Sequence, residues 1–259
     1  MKRVVWVAWM ILMGAVPRAH AIDIDPSKVV DLTYGFGPET IYWPTAKGFA
    51  LEVVSKGESG GHWYEANNFC AAEHGGTHMD APAHFGRGQA TTDQVPVTAG
   101  IGPLVKVDVR AQAERNADYR LTADDLHAWE TAHGRIPRGA IVVMDSGWGA
   151  RWPSRARYLG TDVPGDTANL HFPGFGKDAV EFLVRERDIN AIGVDTASID
   201  YGPSQDFIVH QVINGANKSA FENLANLDRV PPSGATLVAL PMKIEGGSGG
   251  PVRAIALLP

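Results

Sequence analysis

Cysteine is almost absent from this chain. Cys70 stands alone among 259 residues, so no intrachain disulfide can form. Its expected state is a buried structural thiol, with metal ligation the lesser reading. An excess of basic residues is missing as well, with 23 Lys and Arg against 29 Asp and Glu and a formal charge of −6. That balance argues against nucleic acid or anionic lipid as a partner, because both require clustered cations. No apolar run reaches the roughly 20 residues that span a bilayer. Ser/Pro-rich tracts, charge blocks and internal repeats are also lacking, which leaves one compact domain as the simplest organisation.

The most apolar run, Val4 to Val16, follows Lys2 and Arg3 and precedes the small-x-small site Ala19-His20-Ala21. This is the pattern of a secretory signal peptide over residues 1–21, implying a periplasmic or secreted product with no membrane attachment after cleavage. Cleavage after Ala21 removes 21 of the 259 residues and leaves 238, residues 22–259. Loss of Lys2, Arg3 and Arg18 takes the formal charge from −6 to −9.

Short β-branched or apolar runs bounded by Gly, Pro or Asp predict strands at Val29 to Tyr34, Ala50 to Val54, Leu104 to Val109, Ile141 to Asp145, Ala191 to Asp195, Thr236 to Leu240 and Val252 to Leu257. Thr122 to Asp125 reads as a capped helix start, with Leu126 and Trp129 forming an apolar stripe and Gly134 as the stop. Lys177 to Asp188 places Val180, Leu183 and Val184 on one helical face. The mixture predicts a layered α/β domain in which helices cover a largely β core.

Residues 74–85 read His74-Gly75-Gly76-Thr77-His78-Met79-Asp80-Ala81-Pro82-Ala83-His84-Phe85. Imidazole and carboxylate at this density compose a divalent-metal site of the Mn²⁺ or Zn²⁺ type. A helix is excluded, because Gly75-Gly76 weakens its start and Pro82 turns Ala81 away from helical geometry. An extended segment instead puts His78 and Asp80, at i and i+2, on one side of a strand. His74 joins them across the glycine bend, while Thr77 and Met79 face the opposite side. A cation so held lowers the pKa of bound water and polarises a carbonyl, the chemistry of amide hydrolysis. His84, four residues past Asp80 and beyond Pro82, is expected to lie near the metal without binding it and to move a proton to the leaving nitrogen; the alternative is that it is itself a ligand.

The segment His74-x-Gly76-Thr77-His78-x-Asp80-x-Pro82-x-His84 resembles the signature of the cyclase family of metal-dependent hydrolases, which includes bacterial kynurenine formamidases and isatin hydrolases. Asp31-Leu32-Thr33, Trp43-Pro44, Asp145-Ser146-Gly147-Trp148, Gly193-Val194-Asp195-Thr196-x-Ser198-Ile199-Asp200, His210 and Phe221-Glu222-Asn223-Leu224 follow in the family's order. The resemblance implies His74, His78 and Asp80 as ligands of a first metal. It implies His84 as the catalytic histidine, and His210 and Glu222 as completing a second metal with Asp80 bridging, for one or two ions per chain. It further implies a β-rich α/β fold of the swivelling β/β/α type and assembly into a homodimer or higher homo-oligomer. By residue type alone, His210 would be an ordinary partly buried histidine and Glu222 a helix-start acid.

Trp43, Trp63, Tyr64, Phe69, Phe85 and Trp148 lie near these blocks and would suit the walls of a pocket for a flat aryl group. The stretch Trp63 to Phe69 resembles the isatin-hydrolase branch, which favours a cyclic amide such as isatin over an aryl formamide such as N-formylkynurenine. A periplasmic binding protein that holds a metal or aromatic ligand without turnover is the reading from another class. The loop Gly246 to Pro251 fits no phosphate fingerprint and is expected as a tight turn before the last strand, lining the pocket. Sequencing the N-terminus of exported protein is expected to begin at Ile22; a product still carrying Met1 or Lys2 overturns the signal-peptide reading.

Overall fold

The computed structural model describes residues 24–259, and the segment read as a signal peptide, residues 1–21, lies outside them. The chain runs through β1 (Val29–Asp31), β2 (Ala50–Ser59), β3 (His62–Cys70), the short β4 (His78–Asp80) and β5 (Ile101–Asp108). Helix α1 (Arg110–Arg115), β6 (Arg120–Leu121) and α2 (Ala123–His133) follow, then β7 (Ile141–Asp145), α3 (Arg155–Leu159) and β8 (Gly174–Phe175). The rest holds α4 (Lys177–Phe182), β9 (Ala191–Val194), α5 (Ile208–Gly215), β10 (Ser219–Glu222), β11 (Ala235–Pro241) and β12 (Gly249–Leu257).

Eight strands form the main sheet in the order β1-β12-β11-β5-β7-β9-β10-β4, and β4 also pairs with β12. That last pairing closes seven of the strands into a ring. Residues 249–251 of β12 pair with β4, and residues 255–257 pair with β1 beyond it. The stretch β5-β7-β9-β10 is parallel. Both of its faces are covered, which is why Ile141-Val142-Val143-Met144 reads as an unbroken apolar run. Along β7, Ile141 and Val143 join Leu104, Phe221 and Leu237 in the core enclosed by the ring. Val142 and Met144 point the other way, onto Leu126 and Trp129 of α2, Val180 of α4 and Ile213 of α5. Alternation on one strand therefore serves two cores, and the layers stack as β/β/α, the arrangement that the family resemblance implied.

Helix α2 starts as expected. The Thr122 side chain accepts from the Asp125 N–H, the Asp125 carboxylate accepts in return, and Gly134 stops the helix at φ 89°. The helix expected over Lys177 to Asp188 is α-helical only to Phe182. It widens into a π turn over Leu183–Arg187 and ends at Asp188 with φ 49°. At the end of that turn Arg187 forms a two-pronged pair with Glu130 of α2, at 2.7 and 2.8 Å, which ties α4 to its neighbour.

The region before the metal segment departs most from expectation. The strand expected at Ala50 to Val54 extends to Ser59 and pairs with β3 in a separate two-stranded ribbon. Trp63, Tyr64 and Phe69 on β3 are 57%, 52% and 55% exposed, and they do not line the cavity over the histidine segment. Cys70, at the end of the same strand, is exposed and not the buried thiol expected. Apolar composition near the motif suggested burial, but a two-stranded ribbon has no second layer to cover either face.

Candidate metal centre and active site

Strand register assembles the site. Glu222 on β10 pairs with His78 on β4, and Ala220 pairs with Asp80. Cross-strand partners share a face, so Glu222, His78 and Asp80 project together, away from the ring interior that Met79 and Phe221 fill. The i, i+2 reading of His78 and Asp80 holds, and Thr77 on the other side donates its hydroxyl to the Asn223 carbonyl. Gly76, at φ 57°, makes the bend that returns His74 to the cluster. On the opposite edge of β4, Gly249 pairs with Asp80, and a Cβ there would stand 2.5 Å from His74 Cε1. The Gly-rich loop is thus partly the start of β12, and it makes room for an imidazole.

His210 arrives from α5, and Asp200 puts it in place. The Asp200 carboxylate accepts from the N–H groups of Val209 and His210, each at 3.1 Å, in the first turn of α5. It also lies 2.7 Å from His210 Nδ1. A carboxylate only accepts, so Nδ1 carries the proton and Nε2 keeps a lone pair. That lone pair faces Asp80 Oδ2 at 3.3 Å and Glu222 Oε1 at 3.4 Å. His78 repeats the logic. Its Nδ1 donates to the Gly76 carbonyl at 2.9 Å, leaving Nε2 to face Asp80 Oδ1 at 3.2 Å and Glu222 Oε2 at 3.5 Å.

The result is a buried convergence of acceptors with no donor at its centre, and both His78 Nε2 and Asp80 Oδ2 lack a hydrogen-bond partner. Such a cluster requires positive charge, supplied by extra protons or by a metal cation. Burial works against the imidazolium of His78, yet Asp80 and Glu222 raise its pKa to about 9. His210 is likewise raised well above the ordinary value against its burial, by Asp200, Asp80 and Glu222. Burial pushes the Glu222 carboxyl up, and the charge of Asp80 adds to this. Burial would raise Asp80 too, but the imidazoles of His210, His74 and His78 gathered around it hold it well below the usual carboxylate range. Ligand atoms of His74, His78 and Asp80 lie within 4.8 Å of one another, as do those of Asp80, His84 and His210. Nitrogen and oxygen donors of this kind fit a divalent cation.

A cavity of about 280 Å³ opens over the cluster. Its floor holds His74, His78, His84, His210 and Glu222, and its walls include Trp43, Phe85 and Phe207. Of the six aromatics expected around the substrate, Trp43 and Phe85 are there, while Trp148 is buried in a separate cluster with Tyr158 and Phe172. Sequence reading missed Phe207, whose one signal was its position three residues before His210. It sits at φ 49°, an uncommon backbone state for a bulky residue, and its ring lies 6.1 Å from those of both Trp43 and His210. Asp200 was noted only as part of a motif block, and its spacing from His210 gives no hint of contact. His84 stacks on His74 at 3.8 Å, and burial lowers its pKa to about 4, so the ring is neutral at pH 7.

A closed barrel backed by helices, with an acceptor-only His/Asp/Glu cluster beneath an aromatic cavity, defines the class of molecule. The chain belongs to the cyclase family, whose model matches residues 30–201. It is 35% identical over 247 residues to the isatin hydrolase of Roseibium aggregatum, covering 90% of this chain and 92% of that one. A kynurenine formamidase of Sphingopyxis alaskensis is 27% identical over 234 residues, covering 88% and 97%. Among solved structures, isatin hydrolase A from Ralstonia solanacearum superposes with a TM-score of 0.82 at 38% identity, covering 89% of this chain and 92% of that one.

Replacing Asp200 by Ala removes the acceptor for two helix N–H groups and for His210 Nδ1. The expected outcome is a loss of about 2 kcal/mol or more in chemical denaturation. Metal affinity should fall about 10- to 100-fold by chelator competition. Unchanged affinity would show that His210 needs no such anchor.

Proposed function

We propose that this protein is a metal-dependent amidohydrolase that opens a cyclic amide, isatin or a close analogue, to its amino-acid product. The observation that carries the proposal is the convergence of His74, His78, Asp80, His210 and Glu222 lone pairs beneath an aromatic-walled cavity. The more similar of the two curated relatives named above is an isatin hydrolase, which favours the lactam over an aryl formamide. Retention of a metal or aromatic ligand without turnover, the binding-protein reading, has no need of the neutral His84 held over the cluster.

The first cation would be held by His74, His78 and Asp80, and a second, where present, by Asp80, His210 and Glu222. Either Mn²⁺ or Zn²⁺ suits these donors, and availability decides between them. A bound divalent ion would supply acidified water and a polarised carbonyl at the cavity floor. The chain's own residues do the rest. Trp43, Phe85 and Phe207 offer apolar surface for a flat bicyclic ring, and the cavity is close to the roughly 300 Å³ at which small-ligand sites begin. His84, neutral at pH 7, takes a proton from water as its oxygen bonds to the amide carbon. It returns the proton to the ring nitrogen as the C–N bond breaks, leaving an aryl amine and a carboxylic acid that ionises by releasing its remaining proton to solvent.

Two further proposals concern the whole protein. Export to the periplasm or beyond rests on the pattern of residues 1–21. Assembly as a homodimer rests on the β2–β3 ribbon, which exposes Leu51, Val53, Trp63, Tyr64 and Phe69, a concentration of large apolar side chains of the kind that marks a protein–protein contact.

Purified protein loaded with Mn²⁺ or Zn²⁺ is expected to consume isatin in a spectrophotometric assay and to act far more slowly on N-formylkynurenine. His84→Ala is expected to cost about 10²- to 10⁴-fold in rate with metal content unchanged by elemental analysis. Inactivity toward isatin rejects the substrate, and metal lost with His84 makes that residue a ligand. In sedimentation velocity the parent is expected to run as a dimer and Trp63→Glu/Phe69→Glu as a monomer. A monomeric parent removes the assembly proposal.

A further inference from the structure

One chain of hydrogen bonds reaches the cluster from outside the motif blocks. Ser248, just before β12, places its hydroxyl 2.9 Å from His74 Nε2 and 2.6 Å from Glu73 Oε2. Its backbone N–H donates to the same Glu73 oxygen at 3.1 Å, and its carbonyl accepts from the Ala81 N–H at 2.9 Å. Ser248 is therefore fixed at both ends, by its hydroxyl and N–H to the residue before His74 and by its carbonyl to the segment just after β4. Gly249 next to it leaves the space that the imidazole occupies.

Donor and acceptor identities set the direction of this chain. The Glu73 carboxylate accepts only, so the Ser248 hydrogen points to it. Serine lone pairs then face His74 Nε2, which must donate, and Nδ1 is left with its lone pair 2.7 Å from Asp80 Oδ1. We propose that Glu73 and Ser248 are positioning residues that hold His74 in the Nε2–H tautomer and present Nδ1 to the cation. This rests on reading the cluster as a metal centre. Each of the three inward-facing rings then has its own outer acceptor: the Gly76 carbonyl for His78, Asp200 for His210, and the Ser248–Glu73 pair for His74. Of the three, the last is the one drawn from a distant loop. A negative charge behind a ligating imidazole also strengthens it as a donor.

The test uses Zn²⁺ alone, titrated into the full metal-free protein against a chelator, with the thermal midpoint of the metal-free protein as a second reading. Ser248→Ala removes the link, whereas Ser248→Thr keeps the hydroxyl. Glu73→Gln keeps the shape but lets an amide N–H donate to the serine oxygen, which frees the serine hydrogen to turn toward Nε2. Ser248→Ala and Glu73→Gln are each expected to weaken Zn²⁺ binding about 10-fold or more, with the double variant no worse than the single ones. Ser248→Thr is expected to bind as the parent does, and the metal-free midpoints of Ser248→Thr and Glu73→Gln to stay at the parent value. Parent-like Zn²⁺ affinity in both Ser248→Ala and Glu73→Gln overturns the inference. A parent that takes up no Zn²⁺ overturns instead the reading of the cluster on which it rests.

Discussion

Lone pairs from imidazoles and carboxylates meet at the seam between β4 and β10, and the surrounding structure is arranged to keep them pointing at one another. Each inward-facing ring nitrogen is aimed by what the other nitrogen does: His78 is turned by a backbone carbonyl two residues back, His210 by Asp200. Asp80, 1% exposed, has nowhere to shed its charge into water. A carboxylate so placed costs several kcal/mol unless positive charge sits beside it. The protein is thus built around a local deficit of positive charge, and that deficit gives the site its appetite for a cation.

The barrel makes this tolerable. Strand β4 has neighbours on both edges, so its backbone groups are paired even though the strand is three residues long and wholly buried. Helix α5 brings His210 to one side of the cluster, and the carboxylate that orients His210 also caps that helix by accepting from its first-turn N–H groups. Secondary structure and the orientation of the His210 ring are fixed there by the same oxygen atoms. Phe207, held at positive φ where α5 begins, sends its ring into the cavity from the same turn, so one short helix supplies an imidazole of the cluster and part of the apolar wall.

The features legible from sequence were those whose cause is local. His78 and Asp80 share a strand face because alternation forces it, the glycines before them bend because they lack Cβ, and the Thr122/Asp125 cap is a four-residue pattern. The β/β/α fold and the roles expected of His210 and Glu222 came only through family resemblance. What brings Glu222 opposite His78 is a register between strands more than 140 positions apart, which no window of sequence contains. Ser248, 174 positions from His74, was hidden for the same reason, while Asp200 reaches His210 from ten positions away across a loop that carries no periodic pattern. Cys70 and the aromatics of β3 misled because hydrophobic residues announce that something will cover them and do not say what. The π turn after α4 answers to a partner, Glu130, on another helix.

The strand that latches the barrel shut is also the one that carries two of the inward-facing side chains. A cation bound there would clamp three neighbouring segments across the joint, from β4, β10 and α5, and its departure would leave mutually repelling oxygens at the very place where the cylinder is fastened. Occupancy and closure are in this sense one variable, and the backbone amides of residues 78–80 report on it: their exchange with solvent gauges how firmly the hoop is held.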